Sequence, residues 1–208
     1  MDLEILYEDE YILAINKPAG IVVHPCSYHP NSTLANGVKA YLNNGKKIRP
    51  INRLDRDTSG IVIFAKNEYI QEYFTKIRPY KEYLAIVKGK IEPRSGVINL
   101  PIARKDESIM EREVREDGQI AITNYETIKE FDSYSLVKVN IETGRTHQIR
   151  VHFKFKGTPI LGDTLYDVES KFISRQALHA YKLIFMHPIT KEKIIIEASI
   201  PSDMRNLI

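Results

Sequence analysis

Short apolar runs separated by polar turns set the rhythm of this chain. Ile12-Leu13-Ala14-Ile15, Ile21-Val22-Val23, Ile61–Ala65, Tyr83–Val87, Leu136–Ile141, Leu183–Met186 and Ile194–Ala198 are each of strand length and rich in β-branched residues. Helical spacing lies between them. Ser32 can cap a helix with Leu34, Val38 and Leu42 on one face, and Asn67 can cap another with Ile70, Phe74 and Ile77. Strands outnumber helices and do not alternate strictly with them. The pattern predicts an α+β fold with a mixed, largely antiparallel central sheet flanked by helices and loops. No repeat, low-complexity tract or Pro/Gly/Ser linker interrupts it, so residues 1–208 read as one compact domain.

One segment carries two opposed signals. Ile149-Arg150-Val151-His152-Phe153-Lys154-Phe155-Lys156 alternates apolar and basic residues, the mark of an amphipathic strand. Yet Thr146 ahead of it is a good helix cap, Gly157 suits the position just past a helix end, and Pro159 follows. Local pattern leaves both open.

The 43% hydrophobic and 27% charged residues of this 208-residue chain are those of an ordinary globular protein with a substantial core. No apolar run approaches the ~20 residues of a membrane helix, and the acidic Met1-Asp2-Leu3-Glu4 start is unlike a secretory signal. Cys26 is the only cysteine, which excludes an internal disulfide and a cysteine-based metal site. A cytoplasmic location is expected. The net charge of +3 says little, but its distribution says more. Lys39, Lys46, Lys47, Arg49, Arg53 and Arg56 surround one acid, Asp55; Arg145, Arg150, Lys154 and Lys156 join His147 and His152 with no acid between them. Each cluster alone is an ordinary solvated face; two that also hold catalytic candidates suggest a phosphate-tracking groove. His147 and His152 are five apart, which does not suit two metal ligands one helical turn apart, and His24 and His29 lie in an irregular segment. No metal site is expected.

The most informative string is Arg53-Leu54-Asp55-Arg56-Asp57-Thr58-Ser59-Gly60, a polar turn feeding the strand Ile61–Ala65. An isolated Asp-x-x-Ser-Gly would read as a turn aspartate capping backbone donors. Here the whole string resembles the His-Arg-Leu-Asp-x-x-Thr-Ser-Gly signature of the RluA-type RNA pseudouridine synthases, with Asn52 where that signature has His. The resemblance continues in order. Asn16-Lys17-Pro18-Ala19-Gly20 with Val23-His24-Pro25 is similar to the family's first motif, and Lys81-Glu82-Tyr83-Leu84-Ala85-Ile86-Val87-Lys88-Gly89 to its Tyr-x-Ala-x-Val-x-Gly strand. Thr143-Gly144-Arg145-Thr146-His147-Gln148-Ile149-Arg150-Val151-His152 resembles the third motif almost letter for letter. Pro159-Ile160-Leu161-Gly162-Asp163 with Tyr166, then Leu178-His179-Ala180, completes the series. Several ordered matches are far more specific than any one.

The resemblance implies a pseudouridine synthase catalytic domain over 1–208 and a helix at the ambiguous 149–156 segment; family members often carry a small RNA-binding domain ahead of the catalytic one, and no separate N-terminal domain is expected within these residues. It implies isomerisation of uridine to pseudouridine: the bond from ribose to the uracil nitrogen breaks, the base rotates, and carbon 5 rejoins. No atoms enter or leave, so no cofactor is needed. Asp55 matches the essential carboxylate, which can act as nucleophile on uracil or ribose. Arg150 matches the arginine paired with it, whose planar fork favours and orients the ionised form. Tyr83 matches the active-site tyrosine, placed to stack on the base and assist proton transfer at carbon 5. Arg53 matches the side chain that fills the space of a flipped-out base. Arg56, Arg145, His147 and Lys154 are the remaining candidate RNA contacts.

Bland alternatives accompany each residue: a phosphate contact for Arg150 or Arg53, a half-buried core position for Tyr83. As whole-protein readings, a non-catalytic RNA-binding module and a base-releasing glycosidase compete with the isomerase. A pure binder has no need of a carboxylate in a basic groove, and mass spectrometry separates base loss from isomerisation. The expected partner is structured RNA, a stem-loop of rRNA or tRNA, with no membrane and a monomeric enzyme.

Overall fold

A computed structural model describes residues 2–25, 30–43, 45 and 47–208; Cys26, His29 and Lys46, named above, lie outside the described residues. In chain order the elements are β1 (Ile5–Glu8), β2 (Ile12–Lys17), α1 (Leu34–Leu42), β3 (Arg49–Pro50), β4 (Ser59–Ala65), α2 (Glu68–Lys76) and β5 (Tyr80–Lys88). Then follow β6 (Ser95–Asn99), β7 (Ile102–Arg104), β8 (Arg112–Val114), β9 (Ile122–Glu130), β10 (Tyr134–Ile141), α3 (Gln148–Phe155), β11 (Leu178–Met186), β12 (Lys193–Glu197) and α4 (Ser202–Arg205). The fold is α+β, as the pattern predicts.

Contacts gather in two units, one of residues 1–80 with 180–199, the other of 81–179 with 200–208. In the first, β2 pairs antiparallel with β1 and β4, β3 with β4, and β12 with β11. Ile12, Ala14, Ile61, Ile63, Phe74, Leu183, Phe185 and Ile196 form its core. Helix α2 lays Ile70 and Phe74 on that core, with the Asn67 side chain accepting from the Ile70 N–H at 2.9 Å as the N-cap. In the second unit β10 pairs antiparallel with β5 on one side and β9 on the other, and β9 pairs with β6. The short β7–β8 hairpin forms a separate ribbon.

Three local expectations are corrected. Ile21-Val22-Val23 is not a strand. Its carbonyls serve other elements: Val22 and Val23 accept from Leu34 and Ala35 at the start of α1, donors that a helix cannot satisfy itself. The cap of α1 is Thr33 rather than Ser32. Thr33 and Asn36 bond reciprocally, while Ser32 takes φ +61° just ahead of the helix. Residues 148–155 form a helix, but Thr146 does not cap it: His147 is the N-cap, at φ +58° and without a side-chain cap bond. The C-terminal signals hold. Gly157 at φ +77° donates to the Lys154 carbonyl and Thr158 to Phe153, which closes a Schellman motif.

Candidate active site

The Asp55 string joins β3 to β4. At its start the Asn52 carboxamide bridges two residues of β4, its Nδ2 donating to the Ile61 carbonyl at 2.9 Å and its Oδ1 accepting from the Ile63 N–H at 2.8 Å. Asp55 follows in a tight turn in which its carbonyl accepts from the Thr58 N–H at 3.2 Å. The residue is half-buried, between buried Leu54 and buried Thr58 and Ser59. Gly60 then takes φ +113°, and a Cβ there would lie 2.3 Å from the Ala180 carbonyl oxygen. Only glycine lets the backbones approach so closely at this φ.

Lys17 holds the far side of the turn. Its side chain is fully buried, and Nζ donates to the carbonyls of Pro18, Ile21 and Arg56 at 2.9, 2.8 and 2.8 Å. An ammonium has three protons, and each finds an oxygen here, the condition for burying a charge. The Arg56 carbonyl also accepts from the Gly20 N–H at 2.9 Å. The first motif therefore does not reach out to a ligand through Lys17; it fixes the backbone beside Asp55. Arg53 and Arg56 are exposed, and the Arg56 guanidinium forks onto Asp57 with Nε and Nη2 at 3.0 and 2.9 Å.

In the second unit Tyr83 is 8% exposed on β5, opposite Val139 of β10. Lys81, two residues earlier on the same strand face, has its ammonium pushed below the usual lysine range by burial. Helix α3 enters from a loop organised by Gln148. The Gln148 Oε1 accepts from the Thr143 hydroxyl at 2.8 Å and the Arg145 N–H at 3.0 Å; Nε2 donates to the Ile122 carbonyl at 2.9 Å and Thr123 Oγ1 at 3.0 Å. This saturated amide ties the loop ahead of α3 to β9, while the first N–H groups of the helix receive no side-chain cap.

Arg150 forms a two-pronged ion pair with Asp163, Nε to Oδ2 at 2.6 Å and Nη2 to Oδ1 at 2.7 Å, both side chains buried. Its guanidinium also lies 5.0 Å from the Tyr166 ring centre, and the Lys154 ammonium lies 5.4 Å from the same ring. The Tyr166 hydroxyl accepts from the Arg112 N–H at 2.8 Å and is hydrogen-bonded to His147 Nδ1, also at 2.8 Å. Tyr166 thus gathers Arg150, His147 and Lys154. Sequence reasoning placed Asp163 and Tyr166 in a motif without giving either a role at the site. Lys17 was passed over in the same way, although a lysine closing an apolar strand beside Pro18 was a signal of burial.

The second basic cluster is smaller than the sequence suggests. Arg150 is neutralised by Asp163, thirteen residues on. His152 is buried, with Nε2 donating to the Leu100 carbonyl at 3.0 Å, which leaves Nδ1 to accept from the Thr123 hydroxyl at 2.9 Å. Desolvation holds its imidazole below the usual histidine range. Lys156 sits against Tyr125. Arg145 and Lys154 are the exposed cations of the segment. Among the described residues, no three His, Cys, Asp or Glu side chains gather to hold a metal, and no helix is long and apolar enough to cross a membrane.

Residues 11–155 match the family model described as RNA pseudouridylate synthase. The chain is 44% identical to an uncharacterized RNA pseudouridine synthase, YhcT, of Bacillus subtilis, over 99% of this chain and 71% of that protein. It is 36% identical to ribosomal large subunit pseudouridine synthase D of Xanthomonas campestris, over 99% of this chain and 68% of that one. The solved structure of human RNA Pseudouridylate Synthase Domain Containing 4 superposes with a TM-score of 0.74 at 25% identity, covering 97% of this chain and 90% of that one. That of the human Domain Containing 1 protein shares the fold, with a TM-score of 0.79 at 24% identity over 95% of this chain and 83% of that one. With its ordered motifs, its α+β fold and a family model spanning more than half its length, this chain belongs to the RluA-type RNA pseudouridine synthases, isomerases that convert uridine in RNA to pseudouridine.

Proposed function

We propose that Asp55 is the catalytic carboxylate of this isomerase, that Arg150 pairs with and orients it, and that Tyr83 stacks on the uracil and serves the proton transfer at carbon 5. The observation that carries this reading is the hold on Asp55. A half-buried carboxylate whose own turn is hydrogen-bonded, and whose next carbonyl is fixed by a buried lysine, has the preorganisation that attack on a base or sugar requires. Arg53 fills the space of the flipped base, and Arg56, Arg145, His147 and Lys154 meet the RNA backbone around it.

Residues 1–208 act as one catalytic domain, a monomer in the cytoplasm, on a stem-loop of rRNA or tRNA; similarity to a ribosomal large subunit enzyme favours rRNA. The isomerisation exchanges no atoms or electrons with a second reactant, so its stoichiometry calls for no cofactor. Asp55→Asn is the test. Pseudouridine should vanish from RNA incubated with the variant while RNA affinity stays within a few-fold; substantial residual product would remove Asp55 from the reaction. The RNA contacts are tested by salt. Four to six phosphate contacts should give a slope of about −3 to −5 in log K against log salt.

A further inference from the structure

The departure at Asn52 leads to a role for that residue. Strand β3 is only two residues long, with Arg49 and Pro50 opposite Ala65 and Phe64 of β4. The Ile51 N–H adds one more rung by donating to the Ile63 carbonyl at 2.8 Å. Beyond that point the backbone leaves β4 toward Asp55. The ladder continues nonetheless, because the Asn52 side chain donates to Ile61 and accepts from Ile63. A carboxamide offers the same donor and acceptor as a peptide group, so it stands in for a rung while the main chain turns away.

We infer that Asn52 is a positioning residue for turnover: its carboxamide anchors the near end of the Asp55 loop to β4, as the Lys17 ammonium anchors the far end at the Arg56 carbonyl. Asp55 lies between two fixed points, three residues after one and one residue before the other. Slackening the near anchor lets the carboxylate drift without touching any RNA-contacting side chain. Misplacement by about 1 Å is enough to cost about 10²-fold in rate. The inference rests on the reading of Asp55 as the catalytic carboxylate.

The experiment compares Asn52→Ala, Asn52→Asp, Asn52→His and Asp55→Asn. Single-turnover pseudouridine formation, RNA affinity and melting temperature are measured, with total RNA from a strain lacking the gene as substrate. Ala removes both bonds; Asp keeps an acceptor but sets a carboxylate against the Ile61 carbonyl. Both should lose about 10²-fold in turnover with RNA affinity unchanged. Neutral imidazole retains one donor and one acceptor, so Asn52→His should remain within several-fold of wild type. Should Ala prove unfolded, the contrast between folded Asp and His variants still decides. Normal turnover in a folded Asn52→Ala or Asn52→Asp protein overturns the inference, as does a loss seen only in RNA affinity. An inactive Asp55→Asn beside an active Asn52→Ala rejects the anchor alone; an active Asp55→Asn rejects the catalytic assignment beneath it.

Discussion

Asp55 stands in a loop whose neighbours are held through the backbone, whereas Arg150 stands on a helix and is held by its own head group. On the loop side, Lys17 grips the Arg56 carbonyl next to Asp55, and the Asn52 side chain, three residues before Asp55, grips the Ile61 carbonyl and Ile63 N–H of β4. On the helix side, Asp163 and Tyr166 grip the guanidinium itself. A loop lacks a regular ladder, so its backbone must be tied by side chains from elsewhere. A helix supplies its own ladder, and only the long, flexible arginine needs fixing. The two halves should therefore fail differently: loop variants through lost position, helix variants through an exposed imbalance of buried charge.

The sharpest break lies at Arg150. Arg150→Lys keeps the charge but cannot reproduce the two-pronged bond to Asp163. It should be nearly as inactive as Arg150→Ala, with a turnover loss of about 10²-fold or more and little change in RNA affinity. Near-normal single-turnover rates in the lysine variant would reduce Arg150 to a point charge.

Asp163→Ala should lower stability by up to about 3–5 kcal/mol, because it removes the two-pronged ion pair from a buried guanidinium. Urea titration measures this. A loss under 1 kcal/mol would mean that Arg150 finds another acceptor without cost.

On the loop side, Lys17→Met takes from the Pro18 and Ile21 carbonyls the ammonium that donates to them, while Arg56 keeps the bond from Gly20. Two carbonyls losing a buried donor cost roughly 2–6 kcal/mol. The same variant should slow turnover, which separates it from a purely structural lesion elsewhere in the core.

The smallest effect is expected at His152. Burial holds its imidazole neutral, so between the folded value and the ordinary ~6.5 the unfolded chain binds more protons. Stability from this residue is present above that window and is lost as pH falls through it. Melting curves at pH 8 and pH 5.5 should show a steeper acid loss for the wild type than for His152→Gln; equal slopes would contradict a neutral buried ring.

Much of this was legible in the residues. The runs in β2, β4, β5, β10 and β11 are apolar because they are largely buried, whereas β12 buries only Ile196, and the Asn67 cap stands where its spacing put it. Strand β9 was missed for a physical reason: its inward side is Thr123, Tyr125 and Thr127, which no search for apolar runs would find. The 149–156 segment misled differently. Alternation suggests an exposed basic face, yet six consecutive residues from Gln148 to Phe153 are buried, Arg150 and His152 among them. Only the partners, Asp163, Thr123 and Leu100, reveal that these polar groups point inward. The ion pair of Arg150 is thirteen residues apart in sequence, and no periodicity links such positions.

Gln148 has a consequence for how this family of sites is dissected. With both lone-pair positions and both amide protons engaged, it welds the end of β10, the start of β9 and the first turn of α3 into one joint. Any replacement, even glutamate, breaks at least two of those bonds, and the helix bearing Arg150 then loses its fixed origin. An alanine scan scored on product alone would count Gln148 among the reacting groups, although its amide has no unoccupied valence to offer a substrate. Its role is that of a hinge pin, and a scan becomes interpretable only when folding is measured alongside turnover.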